Sequence, residues 1–186
     1  MEMETEQPEQ VVIVQAQPAD IDAVLGLLED AARWLMSRGI DQWRPGSFDR
    51  HNFAARIERG EVYLALSGDQ PAGTLTLQPS DSLFWPDAPD DAFYLHKLAV
   101  RRAYTGQGIG RRLLEWAERT TAAAGKTYLR LDCMAESAAM RAYYEGAGFS
   151  YRGDLSIRNW SASLFEKIVG GFDPHRIGLE YDARQQ

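Results

Sequence analysis

The segment Thr105-Gly106-Gln107-Gly108-Ile109-Gly110 stands directly between a run of large side chains at residues 93–100 and a strongly amphipathic stretch that follows it. No other feature constrains the fold as much. Residues 93–100 read as a central strand, nearly continuous in bulky side chains. Ile109, Leu113, Leu114, Ala117 and Thr121 then form the inner stripe of a helix, with Arg111, Arg112, Glu115, Glu118 and Arg119 on its wet face. A loop placed so must turn sharply, and glycine, lacking a Cβ, lets the backbone come close to a bound group. Its successive N–H groups, with the positive end of the following helix, form a cradle for phosphate oxygens. The plain alternative is a tight turn with no ligand. Four flanking arginines, Arg101, Arg102, Arg111 and Arg112, favour phosphate. A Walker A loop would need Lys-Ser/Thr after the last glycine, where Arg111-Arg112 stand. A dinucleotide-binding loop would follow the first strand of alternating βαβ units, with its third glycine one residue later than Gly110.

Three strands in series come before that loop and exclude a simple alternating fold. Val11-Val12-Ile13-Val14 reads as a short buried strand. Pro18-Ala19-Asp20 opens a helix marked by Ile21, Val24, Leu25 and Leu28 and stopped near Gly39. A second helical stretch covers residues 53–57. Residues 62–67 and 73–78 form a hairpin across the turn formers Gly68-Asp69-Gln70-Pro71. After the loop helix come a strand at 128–133, a helix at 137–145 closed by Gly146 and Gly148, and closing strands at 149–152 and 177–181. Residues 153–176 resist assignment. The order β-α-α-β-β-β-α-β-α-β-β describes a mixed α/β (α+β) sandwich, antiparallel in its first half and joined to a β-α-β crossover. With 186 residues, a polar tail at 1–10 and no linker, one domain over 11–186 is expected.

Charge and composition exclude several functions. The formal net charge of −7 disfavours nucleic-acid binding, which needs a basic face. No apolar run approaches the roughly 20 residues that span a bilayer. The acidic first ten residues do not form a secretory signal. Cys133 is the single cysteine, so no internal disulfide is available and a reducing, cytoplasmic setting is expected. No metal-ligand spacing stands out.

Two longer stretches carry a family resemblance. Leu98-Ala99-Val100-Arg101-Arg102-Ala103-Tyr104-Thr105-Gly106-Gln107-Gly108-Ile109-Gly110 and Ala142-Tyr143-Tyr144-Glu145-Gly146-Ala147-Gly148-Phe149 resemble the cofactor motif and the tyrosine-containing element of the GNAT superfamily of N-acetyltransferases. The resemblance covers residues 93–152 and thins over 1–80. It implies a sheet that splays beside residues 93–100, with helices on both faces and acetyl-coenzyme A bound in the opening. The pyrophosphate would meet Arg101, Thr105, Gly106, Gln107, Gly108, Ile109, Gly110 and Arg111. Leu98, Ala99 and Val100 would line the pantetheine arm, with Leu98 and Val100 pairing with it like a neighbouring strand. Thr105 stands where the family usually has Arg or Gln, and Ser137 where an Asn commonly contacts pantetheine.

Transfer to an amine calls for a base near neutrality and an acid near the sulfur. His96 is the base candidate. By the two-residue period it shares a face with Tyr94, Leu98 and Val100, and the resemblance sets Tyr94 and His96 where some members carry two histidines of a base relay. A structural histidine is the alternative. Tyr144 matches the family tyrosine that protonates the departing thiolate, whereas Tyr143 reads as core or pocket wall. Cys133 reads as an inert buried residue, so direct transfer is expected rather than an acyl-cysteine. Trp34, Trp43 and Trp85 are the candidate acceptor-binding aromatics. The expected acceptor is a primary amine of a small molecule or peptide, without nucleic acid, membrane or metal, and a homodimer is left open. A non-catalytic acyl-coenzyme A sensor is the competing reading. Loss of both His96 and Tyr144 would have favoured it, and both are present.

Overall fold

Apolar stretches of the chain pair into one seven-stranded sheet with the order β1-β2-β3-β4-β5-β7-β6. The computed structural model describes residues 11–157 and 160–170. The strands are β1 (Val11–Gln15), β2 (Val62–Ser67), β3 (Gln70–Gln78), β4 (Ala92–Val100), β5 (Tyr128–Met134), β6 (Ser150–Ile157) and β7 (Trp160–Ile168). The helices are α1 (Ile21–Ser37), α2 (Arg50–Glu58), α3 (Ile109–Ala123) and α4 (Ala138–Gly146). Only β4 and β5 run parallel; every other neighbouring pair is antiparallel.

Local chemistry sets the helix ends. Before α1 the Asp20 carboxylate accepts the Gln17 N–H at 2.7 Å, and after it Gly39 takes the left-handed backbone of a stop signal (φ 72°). Asp49 caps α2 by accepting the Asn52 N–H at 3.0 Å. Helices α1 and α2 cover one face of the sheet, where Val24, Leu27, Leu28, Phe53 and Ile57 pack on Val62 and Leu64. Helix α3 covers the other, where Leu113, Leu114 and Ala117 pack on Leu75, Leu95, Leu129 and Leu131. Trp116 packs on Tyr63 with ring centroids 4.4 Å apart. Glycine is needed at position 73 because a Cβ there would lie 3.0 Å from both the Ala99 carbonyl oxygen and Leu113 Cδ1.

The element order matches the sequence expectation, but its last member differs. The strand expected at 177–181 lies outside the described residues, as do His175 and the tail at 1–10. The sheet is extended instead by β7, paired with both β5 and β6, inside the stretch left unassigned at 153–176.

A buried guanidinium ties the middle of the sheet together. Arg130 on β5 donates from Nε to Glu166 on β7 at 2.8 Å, and from one terminal nitrogen to Asp91 at 3.0 Å and to the Tyr94 hydroxyl on β4 at 3.1 Å. Trp85 and Tyr128 lie against the guanidinium carbon, which is 5.0 Å from each ring centroid. Removing Arg130 strands Asp91 and the Tyr94 hydroxyl and leaves Glu166 with Arg152, whose Nε donates to it at 3.1 Å. Arg130→Met should therefore cost about 3 kcal/mol of stability, and adding Glu166→Gln should recover part of it. Urea unfolding checks this; an unchanged midpoint in Arg130→Met would remove the network from the sheet's stability.

Candidate active site

The parallel pairing of β4 with β5 runs from Ala92–Tyr128 to Leu95–Leu131 and then stops. Beyond that point β4 stays with β3, while Asp132, Cys133 and Met134 of β5 stay with β7. The sheet opens between them. A bulge in β4 marks the same place. His96 stands opposite Thr76 and Ala99 opposite Thr74, so Lys97 and Leu98 together face the single residue Leu75. Lys97 has the positive φ of 54° that non-glycine residues seldom adopt.

The extra residue reverses which face each later side chain occupies. Phe93 and Leu95 pack in the α3-side core before the bulge, and Leu98 and Val100 pack there after it. The expectation that His96 shares a face with Leu98 and Val100 is corrected accordingly. A strict two-residue period holds only while no residue is inserted.

On the α3 side of the opening lies a groove of about 540 Å³. Leu98, Ala99 and Val100 form one wall, while Tyr143, Tyr144 and Met140 from α4 contribute the other. Thr105, Gly106, Gly108, Ile109, Gly110 and Arg111 close its end. Gly106 and Gly108 take positive φ values of 83° and 76°, so the turn into α3 depends on glycine at both. Among the described residues, the backbone N–H groups of Gly106, Gly108, Ile109, Gly110 and Arg111 have no acceptor. They belong to the loop and first turn of a helix, which is the arrangement that holds anions.

On the other side lies a cavity of about 660 Å³ with aromatic walls from Trp43, Phe48, Phe84 and Trp160. A narrow neck of about 70 Å³ lies in the opening, lined by His96, Lys97, Leu98, Asp132, Met140 and Tyr144 among others. His96, Lys97 and Asp132 belong to both cavity and neck, and Tyr144 to both groove and neck. Gln42 and Trp43, between α1 and α2, border all three spaces.

Carboxylates flank His96 on both sides. Its Nε2 lies 3.1 Å from Asp81 Oδ2, without the alignment of a hydrogen bond, and its Nδ1 lies 3.5 Å from Asp132 Oδ1. Burial raises the Asp132 pKa above the usual carboxylate range, opposed by the charge of His96. Ligand atoms of Asp81, His96 and Asp132 come within 4.8 Å of one another, a grouping that the sequence reading, which found no metal site, does not contain. The two carboxylates address opposite nitrogens of one ring, an order suited to relaying a proton.

Burial also sets the state of the neighbours. It pushes the Tyr144 hydroxyl far above an ordinary phenol, so the group keeps its proton at neutral pH. It lowers the Lys97 ammonium below an ordinary lysine, with Asp132 opposing and Arg56 adding to the effect. It pushes the Cys133 thiol up to about 11, far from a reactive thiolate.

Several expected residues sit elsewhere. Tyr94 is buried and its hydroxyl accepts from Arg130, so it belongs to the network of the central strands and not to a base relay beside His96. Trp85 packs in that network too and does not line the aromatic cavity. Trp34 lines the groove, not the aromatic cavity, with Arg102 Cζ 4.2 Å from its ring centroid. Arg102, rather than Arg101, borders the groove; the Arg101 Nε is buried without a partner. Gln107 lies outside the groove lining, and its side chain donates to the Ala103 carbonyl at 3.5 Å. The Ser137 hydroxyl caps α4 by accepting the Met140 N–H at 3.3 Å and lies outside the lining. Of the two readings given for Tyr143, core or pocket wall, the structure has it half-exposed in the groove wall.

Residues missed by sequence reasoning include Asp81, Lys97 and Asp132. A charge at every second position of β5, Arg130 then Asp132, was the available signal for the last. Nothing in the Pro- and Asp-rich loop 79–91 distinguishes Asp81 from its neighbours.

A strand-loop-helix with free N–H donors beside a splayed sheet can hold an anionic ligand on one side, and the aromatic cavity offers room for a second molecule on the other. Residues 28–149 match the acetyltransferase (GNAT) family. The chain is 36% identical over 158 residues to the uncharacterized N-acetyltransferase YesJ of Bacillus subtilis (strain 168), covering 81% of this chain and 86% of that one. It is also similar to an acetyltransferase of the GNAT family from Listeria monocytogenes, with 30% identity, a TM-score of 0.74, and coverage of 85% and 94%. The fold is shared at 18% identity with the PaiA N-acetyltransferase of Thermoplasma acidophilum, solved in complex with coenzyme A, with a TM-score of 0.69 and coverage of 86% and 99%. The chain belongs to the GNAT family of acetyltransferases.

The raised pKa of Asp132 carries a stability consequence. A carboxyl whose folded pKa lies above its unfolded value favours the native state most when protonated, and that advantage is lost as pH rises through the folded pKa. Asp132→Asn should thus raise the melting temperature at neutral pH, with the gap narrowing as pH falls from the raised folded pKa toward the ordinary carboxylate value. Melting curves at a series of pH values check this; a gap independent of pH would locate its origin outside the ionisation of Asp132.

Proposed function

We propose that this protein transfers an acetyl group from acetyl-coenzyme A to a primary amine of a small molecule or peptide, by direct transfer in a ternary complex. The observation that carries the reading is the meeting of two cavities at a neck bordered by both His96 and Tyr144. Each cavity suits one substrate. The groove with free loop N–H donors suits the cofactor's pyrophosphate, and the edge of β4 that β5 leaves unpaired after Leu95 suits the pantetheine arm. In that arrangement a backbone N–H beside the bulge would polarise the thioester carbonyl as a fixed dipole.

The acceptor enters from the aromatic cavity. It arrives cationic and must lose a proton before it can attack. His96 accepts that proton, directly or through a water, while Asp132 and Asp81 stabilise the imidazolium that results. The amine nitrogen bonds to the acetyl carbon as the carbon–sulfur bond breaks. The departing thiolate then takes a proton from the Tyr144 hydroxyl, which borders both the groove and the neck. Thr105 and Arg102 take the places of the usual charged loop residue, through a hydroxyl and through a guanidinium stacked on Trp34.

Two measurements test the reading. In a melting-temperature screen, acetyl-coenzyme A should stabilise the protein while ATP and NAD should not; the reverse pattern would overturn the cofactor assignment. Thiol release across a panel of amines should then exceed the acceptor-free rate, and its absence would make the protein an acyl-coenzyme A sensor. Tyr144→Phe should lower turnover by about 10²-fold with little change in cofactor affinity. Unaltered turnover would remove Tyr144 from the mechanism.

A further inference from the structure

Lys97, Lys126 and Lys167 are the only lysines in the chain. Two of them are fully engaged. Lys126 is paired with the Asp90 carboxylate and donates to the Asp90 carbonyl at 3.2 Å. Lys167 lies 2.7 Å from Glu118 and donates to the Ala147 carbonyl at 2.9 Å. Lys97 has no ion pair and no hydrogen bond among the described residues. Its closest described neighbour of that kind is the Trp43 ring, with Nζ 5.3 Å from the centroid.

The position of Lys97 is as unusual as its isolation. It is the inserted residue of the β4 bulge, held at φ 54°, and its side chain lines both the aromatic cavity and the neck. Strained backbone of this kind persists only where surrounding structure enforces it. Tyr144 borders the same neck.

We propose that Lys97 is itself an acetyl acceptor, a self-acetylation site at the junction of the two cavities. The inference rests on the acetyl-coenzyme A reading given above. The uncharged Nζ attacks the acetyl carbonyl carbon, the nitrogen–carbon bond forms, and the carbon–sulfur bond breaks. Coenzyme A leaves as a thiolate that takes a proton, and the new amide nitrogen gives one up to His96 or to water. Burial lowers the Lys97 ammonium below an ordinary lysine, so that from its place in the neck Nζ gives up its proton more readily than an exposed lysine would. Asp132 on β5, Arg56 on α2 and the adjacent His96 are the charged or titratable groups that bear on it. The product is neutral and bulkier, and it stands in the path between acceptor and thioester. Self-acetylation therefore limits turnover whenever cofactor is abundant and acceptor scarce.

The test uses the full chain and acetyl-coenzyme A without any amine. Intact mass should rise by one acetyl group, and peptide mapping should place it on Lys97, with Lys126 and Lys167 unmodified. The modified protein should lose acceptor turnover, and Lys97→Arg should take up no label. Urea-unfolded chain under the same conditions should show no preference among the three lysines. Equal labelling of all three in the folded protein, or no labelling of a protein that acetyl-coenzyme A stabilises against melting, would overturn the inference and leave the cofactor reading intact. Neither labelling nor stabilisation would overturn both.

Discussion

One inserted residue in β4 governs the geometry of the whole site. Up to Leu95 the strand lies between β3 and β5 as an ordinary inner member of the sheet. At Lys97 the bulge adds local twist and bends the strand, and its partnership with β5 ends there. The consequences extend in both directions. Leu98 and Val100 turn to the α3 face and carry the chain into the glycine loop from that side. Asp132, with no strand beside it on the β4 side, looks into the opening at His96.

The face of β5 that carries Arg130 and Asp132 shows how the molecule treats buried charge in two ways. Arg130 is satisfied on all sides, by Glu166, Asp91 and the Tyr94 hydroxyl. It lies where the strands are still paired, and its role is cohesion. Two residues along, where they have parted, Asp132 lies 3.5 Å from His96 and carries a raised pKa because burial outweighs the opposing charges of His96 and Lys97. A fully paired charge holds a structure together; an underpaired one costs stability and retains the capacity to exchange a proton. The change from one condition to the other over a single step along the strand coincides with the end of the ladder.

Much of this was legible in the sequence because the loop, α3 and β4 are local and strongly patterned. Gly106, Gly108 and the stripe Ile109–Leu113–Ala117 require no distant information. The strand β7 was not legible, because Ser161, Ala162 and Ser163 carry little hydrophobic signal and earn their place through pairing on both edges, with the Ser163 hydroxyl donating to Asp154 at 2.6 Å. The roles of Tyr94 and Trp85 were misplaced for a related reason. Their partner Arg130 lies 36 positions away from Tyr94 in sequence, and only the fold brings it beneath them. The two-residue period also failed in β4 at the bulge, where no glycine or proline marks the irregularity.

The segment between α1 and α2 ties the two cavities to each other. Gln42 and Trp43 border the groove, the neck and the aromatic cavity at once. The segment is tied to α1 where Glu29 accepts the Gly46 N–H at 2.9 Å. Trp43 packs edge-on against Phe48, which does the same to Phe53 in the core of α2. A shift of Trp43 therefore changes the width of the neck and the shape of both spaces together. Since Lys97 lies over the same ring, any change in its charge or bulk acts on that indole too. Trp43 is thus a wall common to both spaces, and its position bears on the shape of each.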